Sequence, residues 1–268
     1  MKQILDLRVV AAERLNSRYV LLRLTAECRM PDMEPGQFVE VRIDGSSSIF
    51  LRRPISIHFF DREKNELWLL VAAVGEGTRW LYQLEAGDMV NVVLPLGNGF
   101  SLPNANSQGQ RRFMLVGGGV GVAPLLYLGA CLKGRGAEPT FLLGARTAAD
   151  LLQLEQFQQY GRVLLTTEDG SQGERGFVTD HSVWQQERFD MISVCGPGPM
   201  MHALARKAAE SKTECEVSLE NMMACGLGAC LCCVEKVRKG VQGQESFTNV
   251  CVCKEGPVFN VKRLLWQI

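Results

Sequence analysis

The chain has 268 residues, enough for two or three small domains, and a hydrophobic content of 46% that excludes a disordered or fibrous protein. Its 29 basic side chains balance 29 acidic ones without a basic run, so the charge pattern favours neither nucleic acid nor an anionic membrane surface as a partner. Ten cysteines without a signal peptide are typical of a reducing compartment, and we expect a soluble, cytoplasmic protein.

The first 102 residues are predicted to form a small antiparallel β-barrel. Short segments with alternating or β-branched residues follow one another and are separated by turn residues. One brief helix is predicted over 78–84, directly after Gly75 and Gly77. The predicted strands are 7–12, 19–25, 38–43, 54–59, 66–73 and 89–94.

Two segments of this barrel have the chemistry of a flavin site. Arg53 and Ser56 place a guanidinium and a hydroxyl on one strand, which suits a pyrophosphate and the polar edge of a flavin. Gly77 and Thr78 offer unhindered amides and a hydroxyl at a helix N-terminus, which favours an anion. Each pattern also occurs without any ligand, so both interpretations stay open for each segment.

From Arg112 the pattern changes to alternating strands and helices, which predicts a parallel sheet covered by helices over 111–212. The stretch 113–132 has no charge and meets the length criterion for a transmembrane helix. Glycines and Pro124 interrupt it, so we interpret it as a strand, a loop and a helix. A Ser/Asn/Gln/Gly stretch over 103–110 separates this domain from the barrel.

Two glycine loops, each between a strand and a helix, predict a dinucleotide site. Both lie at the carboxyl ends of parallel strands, where ligands of open α/β sheets bind, although neither matches the strict G-x-G-x-x-G pattern. The candidate residues are Gly117, Gly118, Gly119, Gly121, Cys195, Gly196 and Pro197.

The last part, 213–268, is predicted to be a small module around a [2Fe-2S] cluster. Cys225, Cys230 and Cys233 have the C-x4-C-x2-C spacing of plant-type clusters, and Cys251 or Cys253 can supply a fourth thiolate. Zinc and disulfides are the alternatives, and the spacing fits zinc poorly. A strand over 214–219 and a hairpin of 232–237 with 247–252 complete the module.

In order, these segments resemble the electron transfer subunits of class 1B dihydroorotate dehydrogenases, within the ferredoxin reductase superfamily. The resemblance covers essentially the whole chain and implies three cofactors: FAD, a [2Fe-2S] cluster and NAD. It rests on motifs at 35–38, 53–56, 75–78, 95–100, 117–125, 167–171, 176–179, 195–200, 223–230 and 253–259.

The resemblance also implies roles for particular residues. Phosphates of FAD would lie on Gly77 and Thr78, and Cys253 is preferred over Cys251 as a ligand because it stands in a Cys-x-x-Gly-Pro-Val-Phe frame. Cys195 either approaches the nicotinamide or fills space. The other residues implied to hold the flavin are Arg53, Pro54, Ile55, Ser56, Leu70, Val71 and Ala72, and the implied cluster ligands are Cys225, Cys230, Cys233 and Cys253.

In this family a separate FMN-containing subunit oxidises dihydroorotate, and two copies of each subunit assemble. Electrons would pass from that subunit through the cluster and FAD to NAD, with hydride transfer at flavin N5 and no catalytic side chain. His58, His181 and His202 are accordingly interpreted as structural or surface residues. Glu168 and Asp169 favour NAD over NADP, whereas Arg146 favours the opposite.

Several alternatives stay open at this stage. Met222, Met223 and Leu227 form either a partner interface or a core, and Cys232 and Cys251 are surplus thiols that can be ordinary strand residues. A related reductase subunit for ferredoxin, sulfur compounds or hydrogenase is the second functional hypothesis. A zinc-stapled binding module without cofactors is the third.

Overall fold

A computed structural model describes residues 1–45, 47–103, 111–239 and 246–266. Its first six strands close into a barrel in the order β1-β2-β5-β4-β3-β6, and every neighbouring pair is antiparallel. The predicted antiparallel barrel is therefore confirmed. The elements are β1 (Gln3–Arg14), β2 (Tyr19–Thr25), β3 (Phe38–Val41), β4 (Arg53–Asp61), β5 (Glu66–Ala72), α1 (Glu76–Gln83) and β6 (Met89–Leu96).

Alternation along β3 shows how the barrel is built. Val39 and Val41 are fully buried in the barrel interior with the other aliphatic side chains of that core. Phe38 and Glu40 point to the outer face and are buried as well, because the last part of the chain covers them. Burial on both faces marks β3 as the strand on which the two parts of the protein meet.

The second unit is a seven-stranded sheet in the order β10-β9-β8-β7-β11-β12-β15. All neighbouring strands are parallel except β12 and β15, as the strand and helix alternation predicted. Its elements before the cluster segment are β7 (Arg112–Gly118), α2 (Ala123–Gly134), β8 (Glu138–Ala145), α3 (Leu154–Gln158), β9 (Arg162–Thr167), β10 (Glu174–Arg175), α4 (Val183–Gln186), β11 (Met191–Cys195), α5 (Gly198–Glu210) and β12 (Glu214–Ser218).

Among the helices of the alternating pattern, the sequence predicts one over 150–157, and the structure divides this segment. A single helical turn ends at Asp150, and α3 begins only at Leu154, because Gln153 adopts a left-handed backbone conformation with φ of 56°. Asp150 is buried and forms an ion pair with Arg18 of the barrel. This contact with a distant part of the chain explains why local sequence did not reveal the break.

The cluster segment continues with β13 (Val234–Lys239), β14 (Ser246–Cys251), α6 (Val252–Glu255) and β15 (Val258–Asn260). β13 and β14 form the predicted hairpin. β15 returns to the large sheet and pairs with β12, so this sheet includes residues from the part predicted to be the cluster module. The domain limits of 1–102, 111–212 and 213–268 stay predictions.

The region between the barrel and the sheet lies largely outside the described residues, since 104–110 are not among them. In the part of the chain that is described, no helix is both long enough and apolar enough to cross a bilayer. The stretch 113–132 instead contains β7, a glycine turn and most of α2, as predicted.

Candidate functional site

The flavin candidates lie where two barrel strands diverge. The registered pairs between β4 and β5 end at Ile57 and Leu69. Beyond that point β4 pairs with β3 through residues 53–56, while β5 remains paired with β2 through residues 70–72. The facing main-chain edges of these two segments are therefore not paired with each other. Contact of Leu70, Val71 and Ala72 with a flavin stays a prediction. A flat ring system fits such a slot.

Arg53 and the start of α1 are brought together at one end of this slot. A Cβ on Gly77 would lie 2.6 Å from Nε of Arg53, so the guanidinium crosses directly over the glycine. Thr78 Oγ1 accepts a hydrogen bond from the amide of Gly75 at 2.9 Å and fixes the first turn of the helix. A cation and a helix N-terminus therefore meet at one place, which suits a pyrophosphate.

The dinucleotide candidates line a cavity of about 910 Å³ at the carboxyl ends of the parallel strands. Both glycine loops contribute to it, as the sequence predicted. Its volume lies within the range of small-molecule and cofactor sites. The predicted residues that line it are Gly118, Gly119, Gly121, Gly196 and Pro197.

Close contact between the two loops requires glycine at Gly121. A Cβ there would lie 2.5 Å from the carbonyl oxygen of Cys195 and 2.5 Å from Cα of Gly196. Those are backbone atoms, so no side chain can move aside. The second loop can approach the first only because Gly121 has no side chain.

Two of the predicted dinucleotide residues do not line this cavity. Gly117 lies behind it, where a Cβ would meet Val122 at 2.8 Å. Cys195 ends β11 with only 2% of its surface exposed, and burial raises the pKa of its thiol. Its contact with a nicotinamide stays a prediction.

The polar residues that line the cavity but were not predicted from the sequence include Arg18, Tyr19, Asp150 and Glu220. Arg18 and Tyr19 belong to the barrel, and Arg18 pairs with Asp150 across the cavity. No local motif marks them, since the adjacent pair Arg18 and Tyr19 lies far in sequence from both Asp150 and Glu220. Glu220 stands directly before the cluster loop, and burial raises the pKa of its carboxyl group.

Of the three charged residues considered for NAD or NADP specificity, two line the cavity and one does not. Glu168 and Arg146 both line the cavity. Asp169 instead caps the following turn, where its carboxylate accepts hydrogen bonds from the amide and hydroxyl of Ser171 at 3.0 and 2.6 Å. Glu168 is therefore the acidic group available to a ribose hydroxyl.

Three of the cluster candidates, Cys225, Cys230 and Cys233, lie in the loop between β12 and β13, and Cys253 lies in α6. The amides of Leu227 and Cys230 both donate to the sulfur of Cys225, at 3.4 Å each. Burial raises the pKa of the Cys225 thiol, but these amide bonds outweigh it and the pKa falls to about 6. Amides directed at a sulfur stabilise a thiolate, the form that binds metal.

Two further amides donate hydrogen bonds to the sulfurs of Cys253 and Cys233. Gly228 donates to the sulfur of Cys253 at 3.1 Å, and the amide of Cys253 donates to Cys233 at 3.4 Å. Cys233 and Cys253 are almost fully buried. Amide donors therefore surround the sulfurs of the four predicted ligands, as in protein sites that bind an iron-sulfur cluster.

The four predicted ligands are arranged as two pairs. Cys225 contacts Cys230, and Cys233 contacts Cys253. Within the described ranges, no three His, Cys, Asp or Glu side chains converge as a single metal ion would need. Two pairs of thiolates suit two iron atoms, whereas zinc requires four ligands around one centre.

Comparison with known proteins agrees with this geometry. Residues 220–265 match the iron-sulfur cluster binding domain of dihydroorotate dehydrogenase B, and residues 115–206 match the oxidoreductase NAD-binding domain. The dihydroorotate dehydrogenase B (NAD(+)) electron transfer subunit of Shouchella clausii is 44% identical over 85% of both chains. That of Desulforamulus reducens is 39% identical over the full length of both.

The chain belongs to the family of dihydroorotate dehydrogenase B electron transfer subunits. The solved structure of an NADH-dependent reduced ferredoxin-NADP oxidoreductase, described for flavin-based electron bifurcation, is also similar. It has a TM-score of 0.83 and 30% identity, and the match covers 97% of this chain and 90% of that one.

Family and fold together confirm the cofactor set predicted from the sequence, which is FAD, a [2Fe-2S] cluster and NAD. The iron-sulfur match also overturns the alternative of a zinc-stapled module without cofactors. The individual residues that hold each group stay proposals, supported by the slot, the cavity and the paired thiols.

The structure also locates the apolar residues around the cluster loop and the histidine His58. Met223 is buried in the core, whereas Met222 is 83% exposed and Leu227 is 50% exposed, so the predicted apolar group is divided between core and surface. His58 is fully buried, and its Nδ1 donates to the carbonyl of Ala123 at 2.7 Å, which links β4 to α2.

Proposed function

We propose that this chain is the electron transfer subunit of a dihydroorotate dehydrogenase B, which passes electrons from a dihydroorotate-oxidising subunit to NAD+. The observation that carries the proposal is the paired-thiol loop, joined in one chain to a flavin slot and a dinucleotide cavity. An FMN-containing partner, two copies of each subunit and a cytoplasmic location belong to the proposal. A reducing compartment suits the cluster thiolates.

FAD supplies, when bound, the exchange between a hydride and single electrons. The chain's own residues bind and orient the groups that need this chemistry. Arg53 and the N-terminus of α1 neutralise the pyrophosphate charge, and the open edges of 53–56 and 70–72 offer main-chain groups to the ring. The loops around Gly118 and Gly196 would hold the dinucleotide next to the same barrel, because Arg18 and Tyr19 of the barrel line the same cavity.

An exposed apolar rim surrounds the cluster loop and supports the assignment of a protein partner. We define this rim as Met222, Leu227 and Leu231, which are 83%, 50% and 65% exposed. Large apolar side chains clustered at one surface mark sites of association. Since short electron-transfer distances require the partner's flavin to lie close to the cluster, the rim is the face that we assign to the catalytic subunit.

The test is an anaerobic spectrum of the purified chain before and after NADH, followed by reconstitution with the cognate dihydroorotate-oxidising flavoprotein. We expect flavin and iron-sulfur absorption that NADH bleaches, and dihydroorotate-dependent NAD+ reduction only when both subunits are present. A chain that contains iron and flavin but supports no such reduction would remove the assigned partner and leave the redox assignments intact.

A reductase subunit for another electron acceptor is the second candidate. The similar solved structure named for NADH, ferredoxin and NADP favours it, because the match covers nearly the whole chain. Reduction of ferredoxin by NADH in the absence of any dihydroorotate-oxidising subunit would support this candidate. We expect that reaction to be slow relative to transfer from the reconstituted complex.

A further inference from the structure

A fifth thiol, that of Cys251, lies inside the ligand cluster. It stands at the last residue of β14, two positions before Cys253, and is partly buried. Its side chain interacts with that of Cys233. Its thiol also donates to the carbonyl oxygen of Gly228 at 3.7 Å. Five thiols are thus assembled for a cluster that takes four.

Cys251 and Cys253 share the same surroundings. The peptide of Gly228 serves both, because its amide donates to Cys253 at 3.1 Å and the carbonyl of the same residue accepts from Cys251. Both side chains also interact with that of Cys233. A sulfur at either position is therefore adjacent to the same third ligand, which pairs with the fourth.

We propose that Cys251 is a reserve cluster ligand, which takes the fourth position when the Cys253 thiolate is absent. The proposal rests on the proposed cluster and concerns only which sulfur completes it. In the exchange the Cys251 thiol loses its proton to solvent, and its sulfur forms the bond to iron that Cys253 would have formed. No electrons are transferred, so no oxidant or reductant is needed.

In the unaltered chain Cys253 holds the position. Cys253 is fully buried, and its sulfur accepts a hydrogen bond from the amide of Gly228 at 3.1 Å. The Cys251 thiol instead donates a hydrogen bond to the Gly228 carbonyl. Removal of the Cys253 sulfur leaves the Gly228 amide without its acceptor and the adjacent space free for the neighbouring sulfur.

Cys232 is the matched control thiol. It is exposed and donates to the carbonyl of Met222 at 3.6 Å, rather than to the Gly228 peptide. It is also directly bonded in sequence to the ligand Cys233, which limits where its sulfur can reach. Loss of Cys232 therefore tests for a general effect of removing a thiol from this loop.

The experiment compares the full-length chain with Cys253→Ala, Cys253→Ala/Cys251→Ala and Cys253→Ala/Cys232→Ala, all purified anaerobically. Iron per flavin, visible absorption and the electron paramagnetic resonance of the reduced sample are measured. We expect Cys253→Ala and its Cys232 double variant to retain iron within about twofold of the unaltered chain, with a shifted resonance. The Cys251 double variant loses roughly tenfold or more of its iron.

Alkylation followed by mass spectrometry gives a second readout. Cys251 reacts with iodoacetamide in the unaltered holoprotein and is protected in Cys253→Ala, because an iron-bound sulfur is not a free nucleophile. If Cys253→Ala loses flavin and fails to fold, the same comparison is made with Cys253→Ser, which preserves the size of the side chain.

The results separate this inference from the proposed function. Equal loss of iron from Cys253→Ala and from Cys253→Ala/Cys251→Ala overturns the reserve role. Retention of iron by the variant that lacks both thiols overturns it as well. An unaltered chain without iron, even after anaerobic reconstitution, overturns the proposed function itself.

Discussion

Glu40 is a carboxyl group that the fold buries between its two redox sites. It is fully buried on the outer face of β3, and neither of its oxygens has a hydrogen-bond partner among the described residues. On one side it pairs in register with Pro54 of the flavin slot, and on the other it contacts Gly226 of the cluster loop. Burial raises its pKa to about 7.

Replacement of Glu40 by Gln is expected to change how stability depends on pH. The folded-state pKa of about 7 lies above the ordinary value of 4.5, so ionisation favours the unfolded chain and stability falls as pH rises through this window. At one pKa unit per about 1.4 kcal/mol, the buried carboxylate costs on the order of 3 kcal/mol above pH 7. The urea midpoint of Glu40→Gln should therefore exceed that of the unaltered chain at pH 8 and approach it near pH 5.

His58 also makes stability depend on pH, in both proteins alike. The quantity to measure is therefore the difference in stability between Glu40→Gln and the unaltered chain at each pH. Burial lowers the pKa of His58 to about 4, so its contribution to stability is complete above about pH 6.5 and is lost as pH falls towards 4. This slope opposes that of Glu40 and is common to both proteins. A difference between them that does not vary with pH would contradict the buried, raised-pKa carboxyl.

Gly121→Ala tests the dinucleotide loops. The new Cβ would meet the backbone of Cys195 and Gly196 at 2.5 Å, so the two loops must separate. We expect the NADH dissociation constant to rise about tenfold or more, equivalent to at least about 1.4 kcal/mol, while iron and flavin are retained. Fluorescence titration of NADH measures it.

Gly134→Ala is the control for that substitution. Gly134 is the last residue of α2, and a Cβ there has no neighbour within 4 Å. NADH binding by this variant should equal that of the unaltered chain. Equal binding by Gly121→Ala would show that the dinucleotide does not depend on the close contact of the loops.

At the scale of elements, β15 anchors the cluster segment to the nucleotide sheet. Phe259 pairs in register with Val217 of β12, is 1% exposed and packs against Gly256, where a Cβ would lie 2.2 Å from its ring. Asn98 of the barrel holds the preceding turn, since its amide donates to the carbonyl of Gly256 at 2.6 Å. The position of Cys253 is thus fixed from both sides.

Phe259→Ala is expected to loosen the cluster before it affects the flavin. Truncation of a buried phenylalanine costs about 3–5 kcal/mol, and this one supports the turn that follows Cys253. The thermal midpoint for loss of cluster absorption should fall, whereas flavin stays bound to the barrel. Phe50→Ala, at a phenylalanine that is 88% exposed, is the control and should leave the cluster midpoint unchanged.

Helices and strands were easier to predict from the sequence than the contacts between them. Alternation in 38–43 identifies a strand, but it assigns Glu40 to solvent, because the loop that covers it comes from the far end of the chain. β15 has only three residues and exists through its pairing with β12, so no local pattern marks it. The glycine loops and the cysteine spacing were recognisable because their chemistry depends on neighbours in sequence.

On the scale of the whole molecule, the apolar rim of Met222, Leu227 and Leu231 lies at the cluster, and the dinucleotide cavity lies between barrel and sheet. Under the proposed function, this protein would hold both ends of an electron path, and the partner would contact the cluster end. This separation predicts that partner binding and NADH chemistry can be altered independently.

Met222→Asp/Leu227→Asp should remove the partner without affecting the isolated subunit. Charges at the centre of an apolar interface oppose its desolvation, and a loss of affinity of about a hundredfold is expected. Size-exclusion chromatography with the catalytic subunit measures association, and NADH oxidation with an artificial acceptor measures the remaining chemistry. Met89→Asp changes an exposed methionine at the other end of β6 from Leu96 and should leave association intact.

The return of β15 to the nucleotide sheet has a consequence for engineering this protein. A cluster module that were merely appended could be grafted onto another reductase by joining the chains at one point. Here the segment donates a strand to one unit, while its Gly226 fits against Glu40 of the other. A functional transplant must therefore bring both a matching acceptor strand and a matching barrel face, in addition to the cluster segment itself.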